Sequence, residues 1–287
     1  MYNVSKFLFK ARAVTPTNEA IAGHYDSLDP YYRDLWGEHV HHGLWLSGRE
    51  SQAAATEQMS LHVLSGLELA QGGRMADIGC GYGGTARIAA ERYGAKVVGL
   101  TLSAAQKRHG EGIPVRRGSV EIRVQDWRNA AFARDSFDAL ISLESLEHVA
   151  DKAGFAQMAR RAVRPGGRVA VATWLSAEGV SPWSQRHLLD AICREAVQAT
   201  LVTAAEVIET FRGAGFRLLS SEDLSSKVSR TWSVILRRLA ARLLTRRAYW
   251  GMLLNGRAED RVFALTAARL WLAYRTGCFR FGSYVWH

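Results

Sequence analysis

Cysteine is scarce in this chain: 287 residues include three, Cys80, Cys193 and Cys278. The number is odd and no two stand at metal-ligand spacing. This argues against a disulfide framework or a zinc site and favours a reducing compartment. Long apolar runs are missing too: none approaches the roughly 18 residues of a membrane-spanning helix. The opening Met1–Lys10 is short and weakly apolar for a secretory signal. A soluble, cytoplasmic protein is expected. Acid is lacking at one end. Residues 227–287 carry one Lys and eleven Arg against Glu259 and Asp260, whereas the rest balances 25 basic with 25 acidic residues. The net charge of +10 is therefore a property of the tail. A basic tail points towards an anionic surface, nucleic acid or lipid.

Glycine, by contrast, is concentrated in one place. Met75-Ala-Asp-Ile runs into Gly79, Gly81, Gly83 and Gly84, and a helix-like stretch, Thr85–Tyr93, follows. Strand, tight glycine turn and helix start bring free N–H groups and a positive dipole end to one point. Gly79-x-Gly81-x-x-Gly84 satisfies the dinucleotide fingerprint, which expects an acid about 20 residues on to hold a ribose hydroxyl. The next strand, Lys96–Leu100, ends instead in Thr101-Leu-Ser-Ala-Ala-Gln106, with no carboxylate. The alternative is Asp-x-Gly-x-Gly-x-Gly from Asp77 to Gly83, a glycine loop of the S-adenosylmethionine (SAM) type.

Strands and helices then alternate. Strands are expected at Val120–Val124, Phe137–Leu143 and Arg168–Trp174, and helices at 51–70, Ser103–Gly110 and Phe155–Val163. Arg164-Pro-Gly-Gly167 would end the last of these helices. Helices at Gln185–Glu195 and Ala204–Gly213 and strands at Arg217–Ser220 and Gly282–Trp286 complete the series. The pattern predicts an α/β, Rossmann-like, doubly wound, mostly parallel sheet, whose ligands bind at the carboxyl ends of the strands. Asp77, Thr101, Asp126 and Glu144 all fall at such ends. The chain divides into an N-terminal helical lid (1–50), a core (51–226) and a basic helical cap with a closing strand (227–287). In the cap, Trp232, Ile235, Leu236, Leu239 and Leu243 keep helical spacing opposite Arg237, Arg238 and Arg242. That spacing, and the lack of any nucleic-acid module, argue against a nucleic-acid partner. A membrane-surface contact and a solvated arginine face both fit it. His39, His41 and His42 lie close in the lid, but neighbouring helical side chains diverge by about 100°, so no metal is expected.

The strings Asp77-Ile-Gly-Cys80-Gly-Tyr-Gly-Gly, Val98-Gly-Leu-Thr-Leu-Ser-x-x-Gln106, Asp126-Trp127, Glu144-Ser-Leu-Glu-His148 and Arg164-Pro-Gly-Gly resemble class I SAM-dependent methyltransferases. The second string, with His24-Tyr-Asp26 and Trp36-Gly-Glu-His-Val-His-His-Gly43, is similar to a narrower branch. It holds tocopherol-type C-methyltransferases, plant alkaloid N-methyltransferases and mycolic-acid cyclopropane synthases. The likeness is strong over residues 20–175. It implies SAM as methyl donor, with S-adenosylhomocysteine as product. Asp77 would brace the loop, and Gly79, Cys80, Gly81 and Gly83 would pass the methionine portion. Thr101, Leu102 and Gln106 would meet the ribose and adenine edge. Asp126 would hold the adenine amine and Trp127 would stack on the ring. Leu143 and Glu144 would lie beside the sulfonium, and Tyr25, His42 and Gly43 would close on the SAM carboxylate.

Methyl transfer from a sulfonium needs alignment and a dry pocket more than a strong acid. The expected acceptor is a lipophilic or aromatic small molecule of natural-product or isoprenoid type, methylated at C, N or O. The alternative is a cyclopropane-type or lipid-modifying enzyme at a membrane surface. Where the acceptor must lose a proton, His148 is the candidate base. A helix-start histidine capping backbone groups is an equal reading. Glu144 reads as a cofactor or substrate contact, and Glu147 as an orienter of His148 or a solvent-facing side chain. Trp250, Met252, Leu253 and Trp271 are expected to roof the pocket.

Overall fold

The computed structural model describes residues 15–250 and 258–287. Met252 and Leu253 lie outside them. Five parallel strands form the body of one sheet: β1 (Arg74–Ile78), β2 (Lys96–Thr101), β3 (Ser119–Val124), β4 (Phe137–Leu143) and β5 (Val163–Ser176). The sixth and seventh, β6 (Leu218–Asp223) and β7 (Phe279–Trp286), give the order β3-β2-β1-β4-β5-β7-β6. β7 runs antiparallel between β5 and β6. The end of the described chain is thus an interior strand, so the last part of the segment after residue 227 is built into the sheet.

Helices cover both faces, and the strand residues record it. Met75, Ala139, Ile141, Ala170 and Ala172 face one apolar cluster. Ala76, Leu140, Val169 and Val171, their alternating neighbours, face the other. The first face carries α1 (Asn18–Leu35), α2 (Gln52–Gly66) and α3 (Gly84–Tyr93). The second carries α5 (Lys152–Ala162), which follows the short α4 (Ala104–Glu111). After β5 come α6 (Asp190–Glu195) and α7 (Ala204–Gly213). The cap is α8 (Ser225–Val228), α9 (Arg230–Thr245) and α10 (Ala258–Arg275).

Two expectations change. Arg164–Gly167 lies within β5 rather than at a helix end: Val163 pairs with Phe137, the next four residues bulge, and Arg168 resumes pairing at Ala139. Gly166, at φ +77°, makes that bend. Helical periodicity in 185–195 resolves into a π-type turn at Gln185–Leu189 followed by α6.

The tail charge is partly spent inside the molecule. Arg242 and Arg246 pair with Asp34 of α1, and Tyr249 donates to the same carboxylate at 2.8 Å. Arg238 donates to the Leu35 carbonyl. Arg269 pairs with Glu195. The contacts to Asp34 and Leu35 fasten cap to lid, and the one to Glu195 fastens cap to core.

The final strand is anchored by Trp286, which is fully buried and stacks on Phe211 with ring centroids 4.1 Å apart. Trp286→Ala should cost about 3–5 kcal/mol of stability, the range for deleting a buried large aromatic. Urea denaturation of the two proteins measures it.

Candidate active site

A cavity of about 350 Å³ opens at the carboxyl ends of β1, β2 and β4, under α1. Its floor is the glycine turn. Gly79, at φ +79°, lies so close to Ser145 that an added Cβ would sit 2.2 Å from the serine Cβ. Gly81, at φ +54°, would project a side chain into open space on the cavity side. Gly83, at φ +78°, starts α3. It does not line the cavity, whereas Gly84 does.

Tyr25, Asp77, Gly79, Cys80, Gly81, Thr101, Leu102, Gln106, Asp126, Trp127, Leu143, Glu144 and His148 all line this space. The Thr101 hydroxyl donates to Gln106 Oε1 at 2.6 Å. Asp126 accepts from Asn18 and Arg128, so the lid already touches the residue expected to hold the adenine amine. Asp77 is buried with Oδ2 lacking a hydrogen-bond partner among the described residues. Burial pushes its carboxyl up to about 7. A cradle free of side chains beside an unsatisfied buried acceptor fits a ligand with polar hydrogens at that end, as SAM has.

His42 and Gly43, expected against the SAM carboxylate, lie elsewhere. Gly43 N–H donates to Thr231 and packs on Ala55. His42 is buried, and its bonds define its state. Trp232 Nε1–H can only donate, so His42 Nε2 accepts from it at 2.7 Å. Nδ1 therefore carries the proton and donates to Glu144 Oε2 at 2.9 Å. Glu144 also receives the His42 backbone N–H at 2.6 Å and Trp174 Nε1–H at 2.8 Å. These contacts hold its carboxyl below the usual range against the opposing effect of burial. Its own backbone is strained, at φ +52°.

His148 is equally determined. Nδ1 lies 2.9 Å from the Val197 carbonyl, which can only accept, so Nδ1 holds the proton. Nε2 is then a lone pair that accepts from Tyr25 O–H at 2.9 Å. Burial lowers the ring to about 4 and keeps it neutral. Glu147 does not face solvent: it is 2 % exposed and accepts from Thr173 at 2.9 Å. Burial first, then Glu144, raise its carboxyl to about 8.

Glu147 and His148 face a second cavity, about 60 Å³, that shares Tyr25, Val40, His41, Glu144 and His148 with the first. Trp36, Trp174, Trp232 and Leu270 wall it. Its roof is thus Trp232 and α10. Trp250 and Trp271, the expected roof, are half-exposed and line neither space. Sequence reading did not mark Trp174, Trp232 or Gln198 as site residues. They come from distant segments, and only β5, α9 and the turn after α6 bring them together.

Two outcomes follow from this geometry. Gly81→Val should abolish S-adenosylhomocysteine binding in a calorimetric titration. Second, Asp77 and Glu147 have folded pKa values raised above the ordinary carboxylate range of about 4, so the unfolded chain releases their protons first. Their contribution to stability is full below about pH 4 and is lost as pH rises through 7 and 8. The melting temperature of ligand-free protein should fall between pH 5 and about 8.5 more steeply than that of Glu147→Gln.

The comparisons agree with this architecture. A family model described as mycolic acid cyclopropane synthetase matches residues 12–255. The chain is 29% identical to tocopherol O-methyltransferase of Arabidopsis thaliana, over 95% of this chain and 83% of that one. It is 30% identical to 27-O-demethylrifamycin SV methyltransferase of Amycolatopsis mediterranei, over 76% and 81%. A mycolic acid cyclopropane synthase solved with S-adenosylhomocysteine shares the fold at a TM-score of 0.84 and 20% identity, covering 95% of this chain and 99% of that one. The chain belongs to the mycolic acid cyclopropane synthetase family and is a SAM-dependent methyltransferase.

Proposed function

We propose that the larger cavity holds SAM and that the smaller one receives the reacting end of a lipophilic, ring-bearing acceptor. The observation that carries this reading is the contact between the two spaces: they share Tyr25, Glu144 and His148, and the second is walled by three indoles. The relatives support the acceptor class. One is named for tocopherol, one for rifamycin, and another is a 2-methyl-6-phytyl-1,4-hydroquinone methyltransferase. By the measure in which a water needs roughly 10–15 Å³, the smaller space admits a one-ring head group.

SAM, when bound, supplies a methyl group on a sulfonium that leaves as neutral S-adenosylhomocysteine on in-line attack. The residues do the rest. Gly79 and Gly81 let the cofactor approach the backbone, and Asp77 accepts from its polar end. The indoles exclude water and fix the acceptor ring. His148 takes the acceptor's proton at Nε2, with Tyr25 O–H turning aside. The low proton affinity that burial gives it is offset during the reaction, because the acceptor's proton charges the imidazole as the neighbouring sulfonium loses its charge.

His148→Ala should leave S-adenosylhomocysteine affinity unchanged and lower turnover of a phenolic acceptor at least about 100-fold, within the usual worth of general base catalysis. Unchanged turnover with labelled SAM would remove the base assignment.

A second reading concerns the outer face of the cap. Arg230, Arg237, Arg275 and Trp271 line a surface groove between α9 and α10, and Leu244 and Leu272 stand exposed nearby in sequence. Basic charge beside apolar side chains fits an anionic lipid surface that holds a lipophilic acceptor. The protein should float with phosphatidylglycerol vesicles, not with phosphatidylcholine, and Arg237→Glu with Arg275→Glu should abolish the effect.

A further inference from the structure

The cap holds more arginine than its internal contacts use. Arg242, Arg246 and Arg269 pair with acids of the lid and the core. Arg230, Arg237 and Arg275 form no ion pair among the described residues, and all three line the groove between α9 and α10. The groove measures about 570 Å³, and no carboxylate among the described residues lines it. Each wall is one helix face. Arg230, Ser233 and Arg237 recur at helical spacing on α9, and Trp271, Tyr274 and Arg275 on α10. Three like charges gathered in one concavity repel each other until an anion joins them.

The guanidinium groups are also positioned. Arg230 Cζ lies 5.5 Å from the Trp45 ring centroid, and Arg275 Cζ lies 5.0 Å from that of Trp271. Stacking occupies the face of a guanidinium and leaves its N–H edge open to an oxyanion. Arg237 gives its Nε–H to the Ser233 carbonyl at 3.1 Å, and its terminal N–H groups have no partner among the described residues. Three such forks match a phosphate monoester, which carries roughly −1.5 to −2 charge at pH 7 and three terminal oxygens. A phosphate diester offers one charge and two such oxygens. Apolar surface adjoins the charge: Trp271 in the groove and its neighbour Leu272 are 36 % and 37 % exposed. Ala267 and Leu270 of the same helix line the smaller cavity. An anion held in the groove therefore fixes α10, the roof of that cavity, against the surface that bears the anion.

We infer that the α9–α10 groove is a discrete site for a lipid phosphate monoester, in which Arg230, Arg237 and Arg275 share the phosphate oxygens and Trp271 meets the glycerol and acyl portion. This inference rests on the membrane reading of the cap and goes further. That reading needs only negative charge at a surface, whereas this site selects one class of headgroup. Free phosphate is the poorer occupant, because it leaves Trp271 and Leu272 in water.

The test floats the full chain with phosphatidylcholine vesicles carrying either phosphatidic acid or phosphatidylglycerol, in proportions that give equal surface potential. The wild type should bind the phosphatidic acid vesicles roughly tenfold more tightly, the worth of about one further charge-assisted hydrogen bond. Arg237→Lys with Arg275→Lys keeps the charge and removes two forks. That protein should bind both vesicles alike, near the wild-type affinity for phosphatidylglycerol, and its S-adenosylhomocysteine affinity should be unchanged. Glycerol 3-phosphate, titrated calorimetrically into the wild type, should bind more weakly than the phosphatidic acid surface. Equal wild-type affinity for the two vesicles, or an undiminished preference in the double-lysine protein, overturns the headgroup site and leaves the membrane reading standing. Failure to bind either vesicle overturns both. Glycerol 3-phosphate binding as tightly as the vesicles gives the groove to a soluble phosphate ester and overturns the lipid assignment. Should the double-lysine protein not fold, the wild-type ratio and the glycerol 3-phosphate titration decide.

Discussion

A carboxylate taken out of water has to be met by donors, and Glu144 is where this protein meets that demand. It sits at the end of β4 and receives the backbone and ring N–H of His42 from the lid and the indole N–H of Trp174 from β5. Through His42 Nε2 the same network reaches Trp232 of α9 and Tyr274 of α10. Sheet, lid and cap are therefore joined at one buried anion, and removing a donor would leave charge uncompensated in a dry place. The two cavities owe their common wall to this arrangement.

Neutrality is the second theme. His42 and His148 are each held in one tautomer by a partner that can only donate or only accept. Their ring protons are assigned by the network, and the lone pair at His148 Nε2 is met by the Tyr25 hydroxyl. Glu147 and Asp77, which form no ion pair among the described residues, respond to burial by holding their protons more tightly.

The basic tail has a double use. Arg238, Arg242 and Arg246 grip α1 through Leu35 and Asp34, while Arg230, Arg237 and Arg275 stay on the outer face. Charge counted along the sequence could not divide these groups, because the division depends on which face of α9 meets the lid.

The sequence by itself determined the α/β alternation, the parallel strands and the glycine turn. Each depends on local rules: apolar period, glycine at positive φ, and polar residues at strand ends. It also determined which residues would meet at those ends, so Asp77, Thr101, Asp126 and His148 were legible without coordinates. Only the tertiary structure decided what lies across the gap. His42 pairs with Glu144 and does not line the larger cavity, because Trp232 and Glu144, 190 and 102 residues away, offered matching partners. Glu147 turned inward, Trp232 with Ala267 and Leu270 of α10 formed the roof in place of Trp250 and Trp271, and Gln198 came to line the cavity on a strained turn. These choices are long-range pairings of buried polar groups, and no spacing along a chain records which distant donor will satisfy which acceptor.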